Sequence, residues 1–159
     1  MIRGQKDDYF KIDNGQLLYN ESEIIEINNI KAVYVDTIGN STKQDDHNFY
    51  IVRLKTIDDK VYNLSRSSEQ FLAGDTLRSV FKGICQYGDF GQYGGSILNL
   101  RLIDRATMGI SDTMVVNAVF KDGEAITVIN TPFLAVGRRC YEKLKKDVRQ
   151  YKNNPANII

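Results

Sequence analysis

Hydrophobic residues alternate with polar ones in several short stretches of the chain, and in two longer stretches they recur every three or four residues. The alternation in 50–55 and 114–121 predicts half-buried strands, because successive side chains of a strand point to opposite faces. The wider spacing in 77–87 and 136–151 predicts two helices, each with one buried stripe. Because each helix follows its strands, the chain is predicted to have an α+β fold.

The two sets of elements form an internal repeat. Residues 50–87 align with residues 114–151 without a gap when each position is set against the one 64 residues later. Asp122-Gly123 is a strong signal for a two-residue hairpin, and Asp58-Asp59 is its weaker equivalent. Asn14-Gly15 predicts a further hairpin. We therefore expect tandem β-β-β(-β)-α units with antiparallel sheets and two helices packed near a pseudo-two-fold axis.

Hydroxyl residues mark the predicted helix starts. Ser67 stands at capping-box spacing from Gln70, and Thr131 precedes Pro132, a residue suited to the first helical position. The first helix is expected to begin at Ser67 or, beyond Gly74, at Asp75.

The chain is expected to be one domain, residues 1–159. The first unit covers about 23–87, the second about 97–152, and each gains a further strand, Ile30–Ile38 and Ile97–Ile103. Between them, residues 88–96 contain four glycines around Phe90 and Tyr93, which predicts a mobile connector.

Composition excludes several classes of protein. With 42% apolar and 26% charged residues, the chain is globular rather than disordered. A net charge of +1 excludes a uniformly basic protein. Residues 1–9 do not resemble a signal peptide and no run is apolar enough to span a bilayer, so we expect a cytoplasmic protein without a membrane partner. Cys85 and Cys140 lack metal-ligand spacing and are expected to be buried free thiols.

No group of residues favours catalysis. His47, the only histidine, lies with Asp45 and Asp46 in a polar loop that offers no rigid support for acid–base chemistry. The sequence also lacks the common phosphate-loop, zinc-protease and calcium-loop motifs. We therefore expect a protein that is not an enzyme and that uses no cofactor or metal.

The strand faces opposite the predicted core carry basic, amide and aromatic residues. These groups suit single-stranded nucleic acid, because cations meet phosphates, rings stack on bases and amides bond to base edges. An ordinary solvated sheet face carries similar residues, so both interpretations stay open. The candidate residues are Tyr34, Phe49, Arg53, Lys55 and Asn63 in the first unit, and Asn99, Arg101 and Asn117 in the second.

The last predicted helix is the most basic part of the chain. Residues 133–153 contain seven cations and two anions, a local charge of +5. Such a face could bind phosphates or an acidic partner, or it could simply complement the helix dipole. The outward-facing candidates are Arg138, Arg139, Lys145, Lys146 and Arg149. Phe90 and Tyr93 of the connector form a third candidate, able to clamp a base or a peptide.

The layout of the first unit, which closes with KVYNLSRSSEQFLAGDTLRSVFKGICQYG (60–88), resembles a PUR repeat, and the tandem units also resemble Whirly domains. The resemblance covers about Asn29–Tyr151 in order and spacing of elements. It implies a ββββα plan and binding of single-stranded DNA or RNA on the sheets, although the second unit shows only three clear strands. By this resemblance, the sheet positions expected to bind the nucleic acid are Arg53, Lys55, Asn63, Asn99, Arg101 and Asn117.

These observations predict a non-enzymatic protein that binds single-stranded RNA or DNA, with RNA favoured, and that could pair as a homodimer. The alternative is a protein-interaction or assembly module, such as a phage or plasmid accessory protein, that grips its partner by a sheet edge or by the basic helix.

Overall fold

The computed structural model describes the main chain of residues 2–3 and all of residues 9–39 and 48–154. It confirms the α+β class, with antiparallel sheets and two long helices. The chain divides into two compact units, Met1–Phe90 and Gly91–Ile159. The first contains β1 (Ile2–Arg3), β2 (Phe10–Asp13), β3 (Gln16–Tyr19), β4 (Glu23–Glu26), β5 (Ile30–Gly39), β6 (Asn48–Thr56), β7 (Val61–Ser67) and α1 (Gln70–Ile84). The remaining elements are β8 (Phe90–Tyr93), which begins at the boundary, β9 (Ser96–Asn99), β10 (Ile103–Ile110), β11 (Met114–Phe120), β12 (Ala125–Thr131) and α2 (Leu134–Asn153).

In the first unit, β1 to β4 form an antiparallel sheet in chain order, and β5, β6 and β7 pair antiparallel with one another. The predicted hairpin at Asn14-Gly15 is confirmed, and both turn residues have positive φ, 50° and 77°. Helix α1 packs on β5, β6 and β7. Its apolar stripe is fully buried there, at Leu77, Val80 and Ile84.

In the second unit, β8 and β9 form a hairpin, and β10, β11 and β12 form an antiparallel sheet. Helix α2 packs on that sheet through Gly137, Leu144 and Val148. A Cβ atom at Gly137 would lie 2.7 Å from Met114 Sδ, so the glycine permits the close approach of helix and sheet. The opposite face of α2 is left to solvent.

The internal repeat is confirmed down to single hydrogen bonds. A 3₁₀ turn precedes β5 at Ile27–Asn29 and β10 at Leu100–Leu102. The Ile57 N–H donates to the last residue of the first turn, and Lys121 N–H to that of the second, at 2.9 Å in both cases. A bulge leaves Leu64 unpaired in β7 and Val128 unpaired in β12, 64 residues later.

The structure corrects the predicted strands of the second unit. Ile97–Ile103 is not one strand, because it comprises the end of β9, a 3₁₀ turn and the first residue of β10. The unit has five strands rather than three. Ile30 and Ile103 are equivalent first residues, 73 apart, because β5, β6 and the connection between them (30–56) are together nine residues longer than β10, β11 and their connection (103–120). One fixed shift in residue number therefore cannot align both the first strand and the later elements of the two repeat units.

Residues 88–96 are also different from the predicted mobile connector. They contain β8 and the first residue of β9, and Phe90 and Tyr93 are buried. The buried side chains of Phe90 and Tyr93, at the two ends of β8, order a segment whose glycine content alone predicts a loop.

Turns and helix starts differ in detail from expectation. Only the second turn residue, Asp59 or Gly123, has positive φ, so each hairpin is a three-residue type. The helices begin at Gln70 and Leu134. Three residues before each start, the hydroxyl group of Ser67 or Thr131 accepts the N–H of the residue two positions later, at 3.0 and 3.1 Å. Pro132 thus precedes the helix instead of opening it.

Both cysteines are free thiols, as expected, but they are less buried than predicted. Cys140 is half-buried and Cys85 is exposed directly after α1.

Candidate nucleic-acid interface

The structure places the sheet-face candidates of the first unit together. Tyr34 is paired with Arg53, and Arg53 with Asn63, across β5, β6 and β7. Phe49 and Lys55 stand at even spacing from Arg53 on β6, so all five side chains lie on the sheet face opposite α1. Their exposure is partial, since Asn63 alone among them is exposed.

Acidic neighbours pair with the two cations that the sequence analysis selected on this face. Arg53 Nη1 lies 2.5 Å from Asp36 Oδ2, and Lys55 Nζ lies 3.7 Å from Asp59 Oδ1. Their side chains are only 27% and 19% exposed. The face therefore offers less positive charge to a phosphate than its sequence indicates.

Arg66 is a residue of this face that the sequence analysis missed. Its guanidinium carbon lies 4.2 Å from the centre of the Phe49 ring. The bulge at Leu64 changes the alternation of β7, which brings Arg66 to the same side as Asn63. The alternating pattern of the sequence contains no signal of that change.

The candidates of the second unit do not form a matching open face. Asn99 is buried, and its Oδ1 accepts the N–H of Arg101 at 3.2 Å, so it caps the 3₁₀ turn. Arg101 is exposed in that turn rather than on a strand. Asn117 lies on β11, where its Oδ1 accepts the Thr127 hydroxyl at 2.7 Å. The prediction that Asn99 and Arg101 lie on an open sheet face is wrong, because Asn99 is buried at the end of β9 and Arg101 is not in a strand.

Helix α2 presents every one of its predicted cations to solvent. Arg138, Arg139, Lys145, Lys146 and Arg149 are all exposed on the side away from the buried stripe. We call these five residues the cationic face. Lys145 Nζ lies 5.6 Å from the centre of the Tyr141 ring. The other four make no ion pair with any residue in the described part of the chain.

One edge of the cationic face lines a groove between α2 and β10, about 270 Å³ in volume. We call it the α2–β10 groove, and it is lined by Asp104, Arg105, Ala106, Lys145, Val148, Arg149, Lys152 and Asn153. Arg105 Nη1 donates to Asp104 Oδ2 at 2.7 Å. This bond, together with the charge of Lys152, lowers the pKa of Asp104 and keeps it ionised.

A second groove, about 290 Å³, lies between α2 and the β8–β9 hairpin. Its walls are tied together, because Tyr93 Oη donates to Asp147 Oδ2 at 2.7 Å and Lys143 Nζ donates to the Gln92 carbonyl at 3.2 Å. Burial and the Asp147 bond raise the pKa of Tyr93, and burial raises the pKa of the Cys140 thiol in the same groove. Tyr93 is 2% exposed and Phe90 8%, so the predicted aromatic clamp is wrong for these two rings.

The remaining candidates concern catalysis and membranes. His47, Asp45 and Asp46 lie outside the described residues. No helix in the described part of the chain is long and apolar enough to cross a membrane.

Comparison with known proteins adds no relative, because no protein-family model, curated protein or solved structure matches this chain.

Proposed function

We propose that this protein binds single-stranded nucleic acid, RNA in the first place, through the cationic face of α2, and that it does so in the cytoplasm without catalysing a reaction. The observation that carries the proposal is the group of five exposed cations on α2, none of which has an acidic partner among the described residues. Phosphate contacts supply most of the affinity of such complexes, and they require cations that are not already neutralised.

The cations of α2 differ in this respect from those on the sheet of the first unit. On the sheet, Arg53 and Lys55 would have to leave Asp36 and Asp59 before they could contact a phosphate. The α2 cations need no such exchange.

Apolar side chains beside the cations favour a single strand over a duplex. Phe133, at the start of α2, is 69% exposed, and Leu134 and Val136 follow it at 47% and 43%. Unpaired bases can stack or pack on such side chains, whereas the bases of a duplex are already stacked. The resemblance to PUR and Whirly domains supports the same ligand class, with the difference that the proposed surface is a helix.

The test is fluorescence anisotropy with one sequence as single-stranded RNA, single-stranded DNA and RNA duplex, at equal ionic strength. The single strands are expected to bind more tightly than the duplex. The variant Arg138→Gln/Arg149→Gln should weaken single-strand binding by about tenfold or more, because charged hydrogen bonds contribute roughly 1.5–3 kcal/mol each.

The matched control is Lys82→Gln/Lys121→Gln, which removes two exposed cations that belong neither to α2 nor to the lining of either groove. Its affinity should equal that of the wild type. Absence of binding at low salt, or equal losses in the two double variants, would refute the proposal.

A second candidate is a protein-interaction module, including a homodimer, and β10 favours it. This strand lies at an edge of its sheet, and Met108 and Ile110 on it are 45% and 53% exposed. Residues 106–110 of this strand carry no charge, and an uncharged edge with apolar side chains can pair with another strand. Sedimentation velocity over a range of concentrations tests it, since Met108→Lys should abolish any self-association that the wild type shows.

A further inference from the structure

The α2–β10 groove concentrates positive charge in a bounded space. Four cations line it, Arg105, Lys145, Arg149 and Lys152, against the single carboxylate of Asp104, a net charge of +3. Ala106 and Val148 form an apolar part of the lining. Cations that converge on one point hold a compact anion of high charge better than a row of single charges does.

One end of this groove is crossed by a contact between its two walls. Lys152, near the C-terminal end of α2, donates through Nζ to the Asp104 main-chain oxygen and lies 3.6 Å from Asp104 Oδ1. Asp104 is the bulged residue of β10. Its neighbours Ile103 and Arg105 pair with Phe120 and Val119, and no residue of β11 is paired with Asp104 itself. The contact joins the last turn of α2 to the beginning of β10.

We propose that the α2–β10 groove binds the terminal phosphate of a nucleic-acid strand, and so selects strands that carry a phosphorylated end. The inference rests on the proposed function, since the rest of the strand is held by the cationic face. A phosphate monoester carries close to two negative charges at neutral pH, whereas an internal phosphodiester carries one. The net charge of the groove favours the terminal group.

Arg149 and Lys145 are central to this recognition. Both line the groove and both belong to the cationic face. Arg149 makes no ion pair with another described residue, so its guanidinium can donate two parallel hydrogen bonds to phosphate oxygens. Arg105 and Lys152 already share Asp104 and are expected to contribute charge more than direct contacts.

The experiment compares one single-stranded oligonucleotide with a 5′-phosphate, with a 3′-phosphate and with hydroxyl groups at both ends, in a buffer free of phosphate. At pH 7.5 either the 5′-phosphorylated or the 3′-phosphorylated oligonucleotide should bind about tenfold more tightly than the one with two hydroxyl ends. This is the ratio expected for one added charge-assisted hydrogen bond. The preference should shrink at pH 5.5, because the second ionisation of a phosphate monoester lies near pH 6.

Two single variants separate the groove from the rest of the helix. Arg149→Gln should abolish the preference for the phosphorylated end. Arg138→Gln is the matched control, an arginine of the same face that does not line the groove, and it should weaken all three oligonucleotides equally. Circular dichroism and thermal unfolding confirm that both variants fold.

The outcomes distinguish the two proposals. If no oligonucleotide binds, the proposed function fails. If all three bind with equal affinity, or if Arg138→Gln and Arg149→Gln reduce the preference equally, the terminal-phosphate inference is overturned and the proposed function stands. Competition by micromolar inorganic phosphate would assign the groove to the free ion and would also overturn the inference.

Discussion

The salt dependence of binding gives the sharpest comparison between the cationic face of α2 and the sheet of the first unit. Each phosphate that a protein cation neutralises in a single strand contributes about −0.7 to the slope of log K against log salt concentration. The five cations of the cationic face are all exposed, so full engagement predicts a slope of about −3.5. Between 50 and 200 mM salt the affinity should then fall roughly 100-fold.

Removal of two of these cations in Arg138→Gln/Arg149→Gln should reduce the slope to about −2, and the loss of affinity over the same salt range to roughly 20-fold. The comparison variant is Arg53→Gln/Lys55→Gln, which removes the same number of charges from the sheet. Because those two cations are paired with Asp36 and Asp59, the slope should stay close to that of the wild type.

The assay is fluorescence anisotropy with a labelled single-stranded RNA at five or more salt concentrations, and thermal unfolding confirms that each variant is folded. A slope that falls in the sheet variant and not in the α2 variant would refute the argument from ion pairing. In that case the strand would lie on the sheet, with Arg53 and Lys55 released from their carboxylates.

Three further predictions concern the second unit. Gly94→Ala should destabilise the protein by about 1–2 kcal/mol or more, because φ is +55° and the new Cβ would lie 2.2 Å from a carbonyl oxygen of β12. Thermal unfolding measures the loss, and the control is Gly95→Ala, whose new Cβ would meet nothing within 4 Å. Leu144→Ala should cost about 2–5 kcal/mol in chemical denaturation, whereas Leu134→Ala, 47% exposed, should cost about 0.5 kcal/mol or less. Because the folded state raises the pKa of Tyr93, this residue's contribution to stability is complete below about pH 10 and decreases as pH rises above that value; Tyr93→Phe should show a smaller alkaline loss in unfolding titrations.

Local sequence was sufficient to predict the two helices and most of the strands that precede them. Apolar spacing alone identifies the buried stripe of α2 and therefore places its cations on the opposite side. The prediction needs no knowledge of what the helix packs against. For the same reason, all five α2 candidates lie where the sequence analysis expected them.

Sequence reasoning failed where packing overrides local preference. Residues 90–93 form a strand despite their glycines because Phe90 and Tyr93 find buried positions. Asn99 has the polarity of a surface residue, yet it is buried as the cap of a 3₁₀ turn. The fixed 64-residue shift aligns the elements that follow the β5–β6 loop with those that follow the β10–β11 loop. It fails for the strands before these loops, since the two loops differ in length.

The sequence by itself determined the fold class, the internal repeat and the cationic face of α2, because each follows from spacing within one element or between like elements. Only the tertiary structure decided which cations are neutralised. The pairing of Arg53 with Asp36 depends on the register of β6 against β5, and Arg66 reaches Phe49 because of a bulge in β7. Register and bulges join residues that are distant in the chain, so periodicity along one strand cannot reveal them.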